Sequence, residues 1–373
     1  MIEHYSATDI VLLLGIGQGL FLSFSLLLIQ KKNRAANRIL ALQLVLSCLI
    51  LLARMMLHKA DEFWVIQRLA PLESLIFVVG PLGYVYFKRL FEKGQSKYMV
   101  NSLHFAPALV YLTFLSYLNS YSNEEFGQKL ISGGFHYFFL VAELTAIIFN
   151  LYYWFLSFRF IQTIQKKVKE QFSFAQSTLT FAKILLIASI TILTIWAIGF
   201  FNIQIFRLQI PTITYNVIWI GIPVLIYIVG FYAIRQPEIF RVLVEEKAKT
   251  KLRKLLDDKS IADLKRKLEQ LMESEKAYLD NELTLVNLSK ELNTSTNNLS
   301  WLLNTIYQTN FYDFVNEYRI KEFILKLEHN EHKVKTLLSL SMEVGFNSKS
   351  TFNKAFKSVQ NETPSSYIKR LAS

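Results

Sequence analysis

The stretch Glu343–Arg370, EVGFNSKSTFNKAFKSVQNETPSSYIKR, decides how the last third of the chain folds. Gly345 suits a left-handed helix end, and Ser348 can cap a new helix over Lys349 to Val359. Thr363-Pro364 opens a further helix with proline at its first position, where the missing N–H is no loss. Immediately upstream, Thr336 to Val344 is apolar at helical spacing. Two short helices across a tight turn make the helix-turn-helix arrangement, whose second member enters the DNA major groove.

Working toward the N-terminus, the pattern occurs a second time. Thr284 to Leu292 is amphipathic, Asn293 and Thr294 break it, and Ser295 can cap a helix running to about Gln308. Leu299, Leu302, Leu303 and Ile306 form the expected buried face of that helix. A longer helix from Tyr312 to about His329 joins the two units.

Residues 283–372 resemble the AraC/XylS-type DNA-binding domain. The first half carries the likeness in Leu285, Leu288, Leu292, Ser295, Leu299, Phe311, Phe314 and Arg319. The second half carries it in Gly345-Phe346, Ser348, Ser350, Phe352, Phe356-Lys357 and Thr363-Pro364. Asn310 and Asn361 stand where the family usually has glycine, Ser341 where it has alanine and Phe323 where it often does. Asparagine also tolerates the left-handed conformation. The resemblance implies a rigid domain whose two recognition helices read neighbouring major-groove segments, about 34 Å apart.

Subtracting the buried face of the first recognition helix leaves Thr296, Asn297, Ser300, Trp301 and Asn304 to face double-stranded promoter DNA. Asparagine can bridge adenine N6 and N7, a contact worth roughly 1–3 kcal/mol of discrimination; the plainer alternative is a solvated polar face. Trp301 either meets a thymine methyl or sugar, or covers the linker. The corresponding outward residues of the second unit are Lys349, Ser350, Thr351 and Lys354, with Lys357 nearer the phosphates, where lysines add salt-dependent attraction. Arg319 is better explained by a structural salt bridge or phosphate contact than by base reading.

The preceding two-thirds has a different chemistry. Across all 373 residues 52% are hydrophobic, 14% aromatic and only 19% charged, which places the chain outside ordinary soluble proteins. Cys48 is the only cysteine, excluding a disulfide framework and a cysteine-based zinc site. Seven stretches are apolar enough to cross a bilayer: 8–30, 38–58, 69–87, 98–118, 134–158, 179–201 and 211–234. Met1 to Ala7 holds no basic residue, which argues against a signal peptide.

Basic residues concentrate in alternate loops: Lys31, Lys32, Arg34 and Arg38; Lys88, Arg89, Lys93 and Lys97; Arg159, Lys166, Lys167 and Lys169. The intervening loops offer Lys59 and Arg68, then Lys129, then Arg207. The positive-inside bias puts the N-terminus outside and everything after Arg235 in the cytoplasm of a bacterium, with the bundle in its inner membrane.

Residues 236–282 hold 11 basic and 11 acidic residues. Ile261, Leu264, Leu268 and Leu271 form one apolar stripe, suited either to a homodimeric coiled coil through 255–280 or to docking on a neighbouring helix.

Ionisable groups within spans are costly and point to function. Glu73 and Glu143 are the candidate sensing residues, whereas Arg54 and Lys183 lie nearer span ends. A buried glutamate that merely cross-links helices is the plainer alternative. Gly15, Gly17 and Gly19 read as close helix packing rather than a dinucleotide fingerprint. Six scattered histidines offer no convincing metal site, and no cofactor motif or catalytic constellation is present.

The expected fold is all-α: a seven-helix transmembrane bundle over 1–235, an amphipathic linker helix region over 236–282, and a cytoplasmic double helix-turn-helix domain over 283–373. The layout is similar to membrane-anchored AraC-type regulators of Bacteroidetes-like bacteria. That resemblance implies a non-enzymatic, sequence-specific regulator acting with RNA polymerase and answering a small-molecule or membrane signal. The rivals are a membrane transporter or enzyme with a helical tail, favoured if Glu73 and Glu143 gather in one intramembrane cavity, and a DNA-to-membrane anchor that senses nothing.

Overall fold

The computed structural model describes residues 6–29, 33–58, 62–91, 98–174, 177–208, 215–235 and 257–371. These are helical throughout, without a strand among the described residues; Phe172 and Thr284 form one isolated antiparallel bridge. The chain divides into two compact units. The first holds Met1–Gln162 and Ser177–Glu246; the second holds Lys247–Ser373 together with Thr163–Gln176.

Among the described residues nine α-helices begin in the first unit, and Ser6 caps the first of them through a reciprocal pair with Asp9. They are α1 Ala7–Leu28, α2 Arg34–His58, α3 Phe63–Leu69, α4 Ile76–Phe91, α5 Ala106–Tyr117, α6 Asn123–Ile131, α7 His136–Lys169, α8 Ser177–Phe200 and α9 Tyr215–Arg235. On α1 one face is buried, through Leu12, Gly15, Gly19, Leu22 and Leu26, while Leu14, Phe21, Phe24 and Leu28 are exposed on the other. An apolar outer face is the arrangement a lipid environment rewards and water penalises. Gly15 and Gly19 are packing positions, as expected: a Cβ would strike Pro223 at 2.8 Å on the first and Cys48 Sγ at 2.5 Å on the second. Gly17 differs, with open space where its side chain would be. Cys48 is buried mid-helix.

Five helical segments among the described residues are long and apolar enough to cross a membrane: Ala7–Leu28, Arg34–Leu57, Phe63–Phe91, His136–Lys169 and Thr178–Ile205. The expected count of seven is not reached by length. α5 has 12 residues, about 18 Å at 1.5 Å each, against a hydrocarbon core of about 30 Å. Single 3₁₀ turns flank it on both sides, with Pro107 at its first turn. The expected seventh span, 211–234, opens with 211–214, outside the described residues, leaving a shorter apolar helix, Trp219–Arg235. α7 is the opposite case. Its 34 residues make about 51 Å, more than a bilayer needs, and its last turn is basic with Lys166, Lys167 and Lys169.

Besides the end of α7 and the segment after it, the described part of the second unit holds α10 Asp258–Glu273. It continues through α11 Leu285–Glu291, α12 Thr296–Thr305, α13 Phe311–Glu328, α14 Leu337–Glu343, α15 Lys349–Gln360 and α16 Pro364–Leu371. Residues 236–256 of the expected linker lie outside the described residues. The stripe on α10 is taken up within the chain. Leu264 and Leu268 are buried, and with Ile261 and Leu271 they pack against Leu285, Leu288, Leu299 and Phe314. Of the two expectations for this stripe, docking on neighbouring helices is the one observed, so a coiled-coil homodimer through 255–280 would have to use another face of α10.

Candidate functional sites

The expected caps of the second unit are made. Thr284, Ser295, Thr336 and Ser348 each accept a hydrogen bond from a backbone N–H in the first turn of the following helix. Asn310 departs from expectation. Its φ of −94° is extended, and its side chain caps α13 by accepting from the Asp313 N–H at 3.0 Å. The left-handed positions nearby are Asn293 and Gln308 instead. Asn361 and Gly345 do take positive φ. Glycine is required at 345 twice over, because a Cβ would also lie 2.5 Å from the Tyr278 carbonyl oxygen.

On α12, Leu299, Leu302 and Leu303 are buried as expected, whereas Ile306 is exposed because the helix ends one residue before it. Thr296, Asn297, Ser300 and Trp301 are partly exposed and Asn304 is exposed. Asn304 Nδ2 donates to the Ser300 carbonyl at 2.8 Å, so it rests on its own helix. Trp301 packs partly against the core of the first helix pair, which supports its covering role. On α15, Lys349, Ser350, Lys354 and Lys357 are exposed. Thr351 is a correction: it is buried, with its Oγ1 accepting from Ser348 Oγ at 2.8 Å, and stabilises the turn rather than facing outward. Asn353, which the sequence reading passed over, is exposed on this helix. It lies three residues from Ser350 and four from Lys349 and Lys357, the i±3 and i±4 spacing that could have revealed it.

The centre of the unit is Arg319, fully buried on α13. All five of its N–H donors are used. Nε donates to the Tyr278 carbonyl at 2.7 Å; Nη1 to the Ser173 carbonyl at 3.1 Å and Asn316 Oδ1 at 3.2 Å; Nη2 to the Asp280 carbonyl at 2.6 Å and Ser173 Oγ at 3.2 Å. Burial holds its pKa down to about 10. Neither of its expected roles applies: it ion-pairs with no carboxylate among the described residues and is too deep to reach a phosphate.

Ser173 belongs to the segment after α7, and that segment is built into the helix-turn-helix core. Its N–H and Oγ both donate to the Leu283 carbonyl, the Leu285 N–H donates to the Gln171 carbonyl at 3.0 Å, and Lys169 pairs with Asp313 at 3.1 Å. No periodicity in residues 170–174 signals this, because a single extended contact leaves no repeating pattern.

The first unit holds a cavity of about 610 Å³, lined by residues of α2, α4, α7, α8 and α9 among others. Glu73 and Glu143 both line it, together with Arg54. Tyr111 Oη donates to Glu73 Oε2 at 3.4 Å and Trp196 Nε1 to Glu143 Oε1 at 2.9 Å, while the Arg54 guanidinium stacks 5.2 Å from the Trp219 ring centre. The sequence reading named the two glutamates; that they share one chamber follows only from the folded arrangement.

Comparison with known proteins bears on the second unit. Residues 288–370 match a family profile described as a helix-turn-helix domain, and the match supports a DNA-binding transcription regulator of AraC type. No curated protein and no solved structure matches the chain.

Proposed function

We propose that the protein is a membrane-anchored transcription regulator. In this reading its second unit binds promoter DNA sequence-specifically through α12 and α15, and its first unit responds to a signal. The family match over 288–370 carries the DNA-binding part. Partly exposed Asn297 and Ser300 and exposed Lys349, Ser350, Lys354 and Lys357 are the residues proposed to meet bases and phosphates, with Thr296, Asn304 and Trp301 at the margin. Five long apolar helices support the anchor. The basic last turn of α7 supports a multi-pass placement with the N-terminus outside and the second unit in the cytoplasm, beside DNA and RNA polymerase.

The cavity with its two glutamates supports sensing. The proposed route for the signal is the segment after α7, since a shift of that helix by part of a turn would pull on Ser173 and so on Arg319. A coupling of about 1–3 kcal/mol would suffice for regulation.

The test uses the full chain in lipid nanodiscs, mixed with sheared genomic DNA and sequenced after capture. A recurring bipartite site with half-sites about one helical turn apart is expected. Capture without sequence preference over competitor DNA would overturn the regulator. Two glutamates sharing one chamber also favour the second reading, a transporter or enzyme with a helical tail. Uptake or turnover by variants that no longer bind DNA would establish it.

A further inference from the structure

Two groups in the wall of the first unit's cavity find no hydrogen-bond partner among the described residues. One is the hydroxyl of Tyr86, a residue only 2% exposed; the other is the buried indole N–H of Trp219. Folded proteins seldom leave such groups idle, because a buried donor without an acceptor has forfeited its hydration for nothing. The charged groups of the chamber make no such demand. Glu73 accepts from Tyr111, Glu143 accepts from Trp196, and Arg54 stacks on the Trp219 ring. What the chamber still asks for is an acceptor, since an indole N–H can only donate. A cation offers donors instead. An anion offers acceptors but would have to shed its water beside two carboxylates. An uncharged oxygen, such as an ester or ketone carbonyl, serves both donors at no such cost, and the apolar remainder of the wall suits a hydrocarbon chain.

The two donors stand at different depths. Gly83 of α4 faces Gln43 of α2, whose Nε2 lies 3.7 Å from where a Cβ on Gly83 would be. Tyr86 follows Gly83 by one turn, and long side chains on a helix lean back over the preceding turn, which brings the Tyr86 ring to the level of Gly83. Trp219 stands instead at Arg54, whose guanidinium is 5.2 Å from its ring centre. Arg54 comes eleven residues after Gln43 on α2, about 16 Å at 1.5 Å each.

We propose that this cavity binds an uncharged, chain-like molecule with an accepting oxygen toward each end, one held by the Tyr86 hydroxyl and the other by the Trp219 N–H. The proposal rests on the sensing reading above and names the ligand class for it.

The test titrates the full chain in zwitterionic nanodiscs with dimethyl sebacate, which has an ester at each end, with methyl decanoate, which has one, and with decane, which has none. The readout is the fluorescence of Trp154 and Trp196, which line the cavity and stay in every variant. The comparisons are Tyr86→Phe and Trp219→Phe in identical nanodiscs, which cancels partitioning into the bilayer. Tyr86→Phe removes one oxygen that has no partner, so without ligand it should melt no earlier than the parent. Should Trp219→Phe melt early, Tyr86→Phe alone decides.

In the parent the diester should bind about five-fold more tightly than the monoester, and the monoester about five-fold more tightly than decane. In each variant the diester should fall to the monoester's level. Equal binding of all three by the parent, or a diester advantage that survives Tyr86→Phe, would overturn the ligand class. Early melting of ligand-free Tyr86→Phe would do the same, by showing that the hydroxyl is already served. DNA affinity measured in the same samples separates the two ideas. Diester binding that depends on Tyr86 and leaves DNA affinity unchanged supports the ligand class and overturns sensing.

Discussion

The two helix pairs of the second unit are alike in outline and unlike in dependence. The second pair packs a core of its own, in which Ile320, Phe323 and Leu327 of α13 meet Leu340, Phe346, Phe352, Phe356 and Tyr367, all from residues 320–368. The first pair is completed from elsewhere, with Leu264, Leu268 and Met272 of α10 in its core and residues 170–174 hydrogen-bonded along its entrance. Their recognition helices diverge too: α12 carries no charge, whereas α15 carries Lys349, Lys354 and Lys357 and no carboxylate. The contrast teaches a division of labour. On the proposed function, the self-sufficient pair would supply sequence-independent attraction, and the externally supported pair would supply reading that its supports can modulate.

The strongest way to break this contrast is Arg319→Met. It leaves the carbonyls of Ser173, Tyr278 and Asp280 without their buried donor, and the expected cost is roughly 3–5 kcal/mol. Hydrogen exchange should show residues 170–174 and 283–315 loosening before α15; simultaneous loss of both pairs would show the dependence to be symmetric. Next is Leu268→Ala, expected to cost about 2–5 kcal/mol and to loosen α11 and α12 while Phe352 and Phe356 keep their protection. Phe352→Ala should do the reverse.

Smaller still is the effect of Asn297→Ala, a loss of about 1–3 kcal/mol confined to one base position in a binding-site selection. By comparison, Lys349→Gln/Lys354→Gln/Lys357→Gln should weaken all sequences alike and flatten the salt dependence by about three counterions. An interchange of these two phenotypes would reverse the proposed roles.

The gentlest probe is pH. Lys335, with Lys326, holds the Glu331 and Glu343 carboxyls below their usual range. The stabilisation they give the junction of α13 and α14 is therefore present above the ordinary carboxylate pKa and lost as pH falls through the lowered values. Side-chain NMR titration should show both glutamates titrating low in the parent, higher in Lys335→Met where Lys326 alone still pairs with them, and higher again in Lys326→Met/Lys335→Met.

What the sequence made legible was whatever repeats or punctuates. Ser295 and Ser348 announced their helices, Gly345 its turn, and the leucines of α12 their buried face, because caps and periodicity are local. Thr351 was misjudged since its position on α15 reads as outward until the Ser348 hydroxyl draws it into the turn. Arg319 and Ser173 were out of reach for another reason: they lie 146 residues apart in the chain, and carbonyl acceptors carry no side-chain signature. The shared chamber of Glu73 and Glu143 was likewise invisible, since helical spacing gives the face of each residue but not which faces converge.

The pairing of Phe172 with Thr284 has a consequence for how the molecule is made. Residues 170–174 leave the ribosome long before Leu283 does, so the first helix pair cannot finish assembling until the chain returns to a docking piece already delivered. In the membrane-anchored arrangement proposed above, α8 and α9 lie between that piece and the tail, so if one of them fails to cross, the piece ends on the far side of the bilayer from the nascent tail. A correctly inserted chain would thus be the only kind to mature into a DNA-binding one, and biogenesis itself would proofread the regulator.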